Sequence, residues 1–355
     1  MKKSNKKIWY IGFIVLVLVL TIYFGARNGD FSASVRAILD IPVFYFILCA
    51  LCVFGAILMQ SLSAWSALKT LGHPMSIKSL YAIAVLGEFY CFVTPGASGG
   101  QPMQLYQFHK RNVPVGDATA ALTVHYHCFT GALLVFDLLF GALYFPFIRE
   151  QLGANIVFLY LGFAVNTLLL ILMLLIAYYQ RPIRWILSKT ESLMRRFHIG
   201  NPEKLQKIFN GIADGFYIGM HKISNHRSEV IRQMAFAAVR LILMMSIVFF
   251  ICHGLGQQSV SYGKLIAMGI MQYTSAAYTP LPGASGAQEG IFSLYFAGLL
   301  PESLLLSGLL SWRFFTYYLI LIVGSIVVTT LGMRNTTIAE AEAEVLKETD
   351  ADDSD

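Results

Sequence analysis

A seven-residue pattern, Pro-Gly-Ala-Ser-Gly-x-Gln, stands at residues 95–101 and again at 282–288, with six of its seven positions identical. Each copy interrupts apolar sequence long enough to be membrane-embedded. Proline has no amide hydrogen and its ring clashes with the preceding turn, so the pattern ends a helix. A bilayer has no water to satisfy the freed backbone groups, so a break there must be buried in protein or line a wet cavity. A helix break duplicated at corresponding places in two halves of a chain points to a transport site between repeats.

The rest of the chain fits a membrane protein. It is 56% hydrophobic and 13% charged over 355 residues, where a soluble domain carries about a quarter charged residues. The apolar runs are too long for barrel strands and do not alternate. The expected fold class is therefore all-α, a polytopic membrane protein. The net charge of +6 is uneven: basic residues cluster in Lys2–Lys7 and between Arg181 and Arg232, and the tail after Glu340 is acidic. That pattern implies cytoplasmic loops facing anionic lipid and no nucleic-acid partner. Cys49, Cys52, Cys91, Cys128 and Cys252 all lie in apolar sequence and read as small buried hydrophobes, a Cys49–Cys52 redox pair being the lesser reading.

Taken in order, Ile8 to Phe24 reads as an uncleaved first span behind a basic, cytoplasmic N-terminus. Residues 27–40 read as a short outer loop, and Pro42 to Lys69 as a span running inward. Leu80 to Val93 is apolar over about fourteen residues, roughly 21 Å of helix against a hydrocarbon core of roughly 30 Å. The first break and a second short arm to Phe108 follow, then the basic His109-Lys110-Arg111. Two short arms opening on one side make a re-entrant hairpin. Asp117 to Pro146 and Asn155 to Tyr179 are full spans around an outer turn at Arg149-Glu150. The insert 181–232 holds ten Lys/Arg against four Asp/Glu. Leu205, Ile208, Ile212 and Phe216 recur there at helical spacing, which suggests an amphipathic helix, with a solvated basic linker as the alternative. Met234 to Cys252 spans again. Lys264 to Thr279, the second break, and Gln288 to Leu300 form a second hairpin, and Leu304 to Leu331 closes the bundle.

Counting crossings gives span, hairpin from inside, span; then span, hairpin from outside, span. The expected architecture is thus inverted repeats, each with a re-entrant helical hairpin, whose tips meet near the midplane. Leu71-Gly72 before the first hairpin matches Leu255-Gly256 before the second. The membrane domain is expected over 1–335, with 181–232 a basic cytoplasmic insert and 336–355 an acidic, disordered cytoplasmic tail.

The small residues after each proline leave amide groups free, and the arm that follows begins a helix, with Ser98 and Ser285 as expected N-caps and Pro102 in a first turn. Free amides at a helix N-terminus attract anions. Pro95, Gly96, Ser98, Gly99, Gly100 and Gln101, with Pro282, Gly283, Ser285, Gly286, Gln288 and Glu289, are therefore expected to hold a phosphate-bearing lipid headgroup. A tight packing turn is the plainer reading. Arg313, in mid-span, needs a partner in the protein interior; Glu289, in the first turn of the second hairpin's inner arm, is the expected one, with a lipid phosphate as the alternative. Glu88, His125, His127 and Asp137 are expected in coupling or gating, or in structural hydrogen bonds, and Arg240 near an interface with its charge snorkelling. His125 and His127 point about 200° apart on a helix and have no second ligand pair, so no metal is expected. Nor is any other cofactor. Gly96-Ala97-Ser98-Gly99 also fits the Gly-x-Ser-Gly of rhomboid-type intramembrane serine proteases, with His125 or His127 as base. Two proline-preceded copies argue against a single nucleophile.

The two breaks resemble those of the lysylphosphatidylglycerol synthase transmembrane-region family, also called flippase-like. Thr94 to Pro102 looks like the family's first Pro/Gly loop. Pro280 to Glu289 looks like its second, Pro-x-Pro-Gly-x-x-Gly-x-x-Glu, and Arg313 falls where the family has an Arg in its closing span. Gln101 and Gln104 depart from the acidic and Arg residues common after the first loop. The resemblance covers the second span to Leu331 and implies movement of a lipid or lipid-linked headgroup between leaflets. Full-length members add a cytosolic domain that transfers lysine to phosphatidylglycerol; the residues after Leu331 are too few for that fold. The expected function is flipping or scrambling of a phospholipid or polyprenyl-phosphate lipid in the cell membrane, with both termini cytoplasmic. The alternatives are a phosphatidylglycerol lysyltransferase by homology, an intramembrane protease, or a lipid-binding scaffold. The expected partner is a membrane phospholipid or lipid-linked substrate, with a homodimer and a separate lipid-modifying enzyme left open.

Overall fold

A computed structural model describes residues 31–181, 185, 189, 202–276 and 281–331. The expected span at 8–24, part of the basic insert, residues 277–280 and the acidic tail lie outside the described residues. Those described are helical with no strand, and five stretches are long and apolar enough to cross a bilayer. It is an all-α polytopic membrane protein.

A short helix α1 (Phe31–Leu39) precedes α2 (Val43–Leu71), α3 (Ile77–Val93), α4 (Gly100–His109) and α5 (Val115–Leu143). Then come α6 (Phe145–Leu152), α7 (Ile156–Tyr178), α8 (Pro202–Asn225), α9 (Arg227–Gly254), α10 (Tyr262–Ala276), α11 (Ala287–Phe296), α12 (Glu302–Arg313) and α13 (Leu319–Thr330). Two expectations need correction. Much of the outer loop placed at 27–40 is the helix α1, which packs on α12 and whose Ser34 carbonyl accepts from Ser307 Oγ at 3.2 Å. Arg149 and Glu150 lie within α6, not in a turn.

The central pair is α2 against α9. Small residues of α2 reach α9 directly: Ser63 and Ser66 donate to Gln233 and Glu229, and a Cβ on Gly55 would lie 3.2 Å from Leu243. Membrane helices associate through close packing of this kind because lipid offers no hydrophobic drive between them. Around the pair the chain repeats itself. Span α2 packs on hairpin α3–α4 and leads to α5; span α9 packs on hairpin α10–α11 and leads to α12–α13. The first arm of each hairpin also packs on the closing span of the other repeat, α3 on α13 and α10 on α5. This exchange, with the two tips in mutual contact, is what a pair of inverted repeats would require.

The insert carries α8, so its described part is an amphipathic helix and not a linker. Ile208, Phe216, Tyr217, Met220 and Ile223 are buried. Gly116 of α5 lets α8 approach: a Cβ there would lie 2.7–2.8 Å from the Gly215–Phe216 backbone. The Tyr217 hydroxyl lies 3.0 and 3.1 Å from the Ile176 and Tyr179 carbonyls, and Lys222 Nζ donates to Leu71 O at 2.9 Å. Helix ends leave such carbonyls without an internal partner, and α8 supplies donors to two of them.

Candidate functional site

Both breaks fold alike. Each is one tight turn, Pro95–Ala97 and Pro282–Ala284, with Gly96 at φ 58° and Gly283 at φ 59°. The alanines that follow are also left-handed, Ala97 at 56° and Ala284 at 49°, a conformation rare for a side-chain-bearing residue and concentrated at functional sites. Gly283 has a second requirement, since a Cβ there would come within 2.2 Å of the Tyr317 ring. The arms of the first hairpin close tightly because Gly100 faces Cys91 Sγ and the Gly87 carbonyl, at 2.2 and 2.8 Å from a notional Cβ.

The serines do not cap the arms. The N-cap residues are Gly99 and Gly286. At the first tip Thr94 bridges the break, donating to Tyr90 O at 2.6 Å and accepting from Gly99 N at 2.9 Å. At the second, the Glu289 carboxylate accepts from Gly286 N at 2.7 Å, and Ser285 Oγ donates to Pro282 O at 2.9 Å. An acidic group in the first turn does both jobs, satisfying an orphan amide and meeting the positive helix end. Pro102 does fall in the first turn of α4.

Glu289 also holds Arg313. The guanidinium donates from Nε to Glu289 Oε1 at 2.6 Å and from an Nη to Gly283 O at 2.9 Å, with Ser285 Oγ at 3.5 Å. It lies 4.8 Å from the Tyr317 ring centre, and Arg313 is 3% exposed. A π-turn, Phe314–Tyr318, begins directly after it; such turns recur at functional sites. So one buried cation ties the closing span to the second tip. The second tip's Gln288 is buried and accepts from Gln272 at 2.7 Å, whereas Gln101 at the first tip is exposed with Pro95, Gly96 and Ser98.

Arg240 does not snorkel but turns into the protein. It is 8% exposed, donates to Glu88 Oε1 at 2.5 Å and to His125 Nε2 at 2.9 Å, and stacks over Phe129. Arginine only donates, so His125 accepts at Nε2 and its Nδ1 donates to Ser63 Oγ at 2.9 Å. Ser63 passes on to Gln233, whose amide donates to Glu229 Oε1 at 2.7 Å. Glu229 also accepts from Ser66 and meets Arg232 at 3.2 Å. Four helices, α2, α3, α5 and α9, are thus joined by one buried polar chain. Its members beyond Glu88, His125 and Arg240 were missed in the sequence, although Ser63 with Ser66 and Glu229 with Gln233 show helical spacing inside apolar spans. Asp137 stands apart, accepting from Thr274 Oγ1 at 2.8 and 3.0 Å across α5 and α10.

His127 diverges from His125, as the helical spacing requires, with Nδ1 donating to Thr123 O at 2.7 Å. Among the described residues no three metal-ligating groups gather. The protease reading needs a base on Ser98, and the hydrogen bonds of both histidines go elsewhere. Cys49 and Cys52 are free buried thiols, with Cys49 Sγ 3.8 Å from the Ile247 carbonyl.

The family model described as lysylphosphatidylglycerol synthase TM region matches residues 9–324. The chain belongs to this family. Membership makes it a lipid-related membrane protein. No curated protein matches it.

Proposed function

We propose that this member of the lysylphosphatidylglycerol synthase transmembrane-region family moves a phosphate-bearing lipid between leaflets, with the headgroup passing the hairpin tips. The observation that carries this reading is Arg313. It is a buried cation on a membrane span, bonded at once to a carboxylate and to the backbone of a helix break that touches its counterpart. Charges at that depth are costly unless they pair or serve a pathway. The carboxylate occupies the position a phosphate would take on the guanidinium, so Glu289 acts as counter-ion while no headgroup is present. Exposed small residues at the first tip, with the amide end of α4 behind them, offer the facing anion contacts. Glu88, His125 and Asp137 brace the hairpins against the surrounding spans. The basic insert lies on the cytoplasmic side in this reading, and a separate synthase supplies any modified lipid.

Leaflet exchange of fluorescent phospholipids in proteoliposomes tests it. The wild-type protein is expected to exchange lipid, and Arg313→Ala, shown to be folded by its monodisperse elution, is expected to fall to the rate of empty vesicles. Wild-type exchange that survives in Arg313→Ala would remove Arg313 from the path. Absence of exchange across anionic, zwitterionic and polyprenyl-phosphate probes would remove the transport reading.

A further inference from the structure

Glu88, Glu229 and Glu289 each meet an arginine. Asp137 of α5, 4% exposed, meets no cation among the described residues. An ionised carboxylate has about four acceptor sites. The hydrogen offered to it is that of Thr274 Oγ1 on α10, which lies 3.0 and 2.8 Å from the two carboxylate oxygens. The polar hydrogens beside Thr274 are committed elsewhere. Ser275 Oγ donates to Met271 O at 2.8 Å, so the Tyr295 hydroxyl is the donor in its 2.6 Å bond with Ser275. Asn166 Nδ2 of α7 donates to Gly162 O at 2.8 Å and to Thr274 O at 3.3 Å. Helix α7 also closes the far side of Thr274, since a Cβ on Gly162 would lie 2.4 Å from the Thr274 carbonyl oxygen.

The titratable groups on the surrounding elements are engaged away from Asp137. Arg240 of α9 holds Glu88 and His125. Lys264, ten residues before Thr274 on α10, lies over the Phe147 ring. His127, ten residues before Asp137 on α5, bonds to Thr123 O. Ten residues of helix are roughly 15 Å. Tyr273 of α10 packs edge-on against Phe129, and Arg149 and Glu150 of α6 are exposed. A lone carboxylate taken out of water binds a proton and becomes neutral, because its charge is too costly to keep. A hard metal cation takes about six oxygens or more, and the hydrogen-bonded group here offers those of Asp137 and Thr274 Oγ1.

We infer that Asp137 is a proton-binding site that governs how the second hairpin is seated. The proton comes from water and returns to it, one for each carboxyl group. While it is bound, the neutral carboxyl lets α10 stay packed on α5. Thr274 stands seven residues before Leu281, where the chain is extended ahead of the second break. When the proton leaves, the carboxylate must be hydrated, and α10 separates from α5 to admit water. Proton concentration is thereby linked to the arm that carries the second tip. The link onward to lipid movement rests on the transport reading above; the proton site itself does not.

The test is the infrared spectrum of the full-length protein in nanodiscs, with the aspartate carboxyls labelled with 13C. The carbonyl stretch of a protonated aspartic acid is expected at neutral pH, absent from Asp137→Asn, and lost reversibly as pH rises. Amide hydrogen exchange within 262–276 is followed alongside, as the ratio of wild type to Asp137→Asn at each pH, so that the intrinsic pH dependence of exchange cancels. The ratio should stay close to unity while the band is present and rise severalfold where it disappears. In proteoliposomes, leaflet exchange should change over that same pH interval in the wild type and not in Asp137→Asn. No band in the wild type, the same band in Asp137→Asn, or a ratio still at unity once the band is gone would each overturn the proposal. Leaflet exchange indifferent to pH across the interval would overturn its link to transport. No leaflet exchange at any pH would count against the transport reading alone, with the band and the ratio still deciding the proton site. Should Asp137→Asn not fold, Thr274→Val replaces it: the ionised form loses its donor, so the band should persist to higher pH, and an unshifted loss would overturn the assignment.

Discussion

At the scale of residues, the Arg313–Glu289 pair shows why a buried charge in a membrane is informative. Each partner is nearly fully enclosed, and removing one leaves the other uncompensated. Glu289→Ala is expected to cost about 3–5 kcal/mol of stability, measured by unfolding in mixed micelles. Replacing both residues by leucine should cost less than the sum of the two single changes, since no lone charge remains. A second residue-scale prediction concerns backbone. Gly283→Ala meets the Tyr317 ring and a left-handed φ of 59°, and it should lower stability by at least about 1–3 kcal/mol. Gly131→Ala, where an added Cβ meets nothing within 4 Å, should be neutral or stabilising by up to about 1 kcal/mol, because alanine favours the helix. Comparing the melting curves of the two variants checks both.

At the scale of elements, the hairpins were legible and some of their attachments were not. Apolar runs too short to cross a bilayer, broken by Pro-Gly, left few other shapes, and the arms α3 with α4 and α10 with α11 lie where the sequence places them. The partner of Arg313 was also legible, because a lone mid-span cation requires one and Glu289 sits in a helix first turn. Arg240 was misplaced for a physical reason. Near the end of an apolar run snorkelling and internal pairing look alike in one dimension, and only the packing of α3 and α5 against α9 brings Glu88 and His125 within reach. The serines of the two breaks were expected as caps from propensity alone; a tight left-handed turn instead puts glycine at both N-cap positions. Helix α8 was half legible: its apolar spacing gave the helix, and the glycine contact that docks it depends on a distant residue. Gly116→Val should therefore detach α8 from α5, raising amide exchange within 206–225 while α2 and α9 stay protected, as read by hydrogen–deuterium exchange.

At the scale of the whole molecule, the duplicated order of elements and the exchange of arms between repeats bring two backbone breaks against one another. The most extensive packing is between the long spans α2 and α9, whereas the tips meet through two short turns. Movement between leaflets would then require the tips to part. That requirement can be tested reversibly. With the five native cysteines replaced, Ser98→Cys and Ser285→Cys can be joined in reconstituted vesicles by a short bis-methanethiosulfonate, which forms a disulfide to each thiol and releases methanesulfinate, and leaflet exchange followed before joining, after joining and after cutting with a reductant. Exchange should fall to the rate of empty vesicles while the tips are tied and return when the tie is cut. Exchange that continues unchanged with the tips joined would show that lipid does not pass between them.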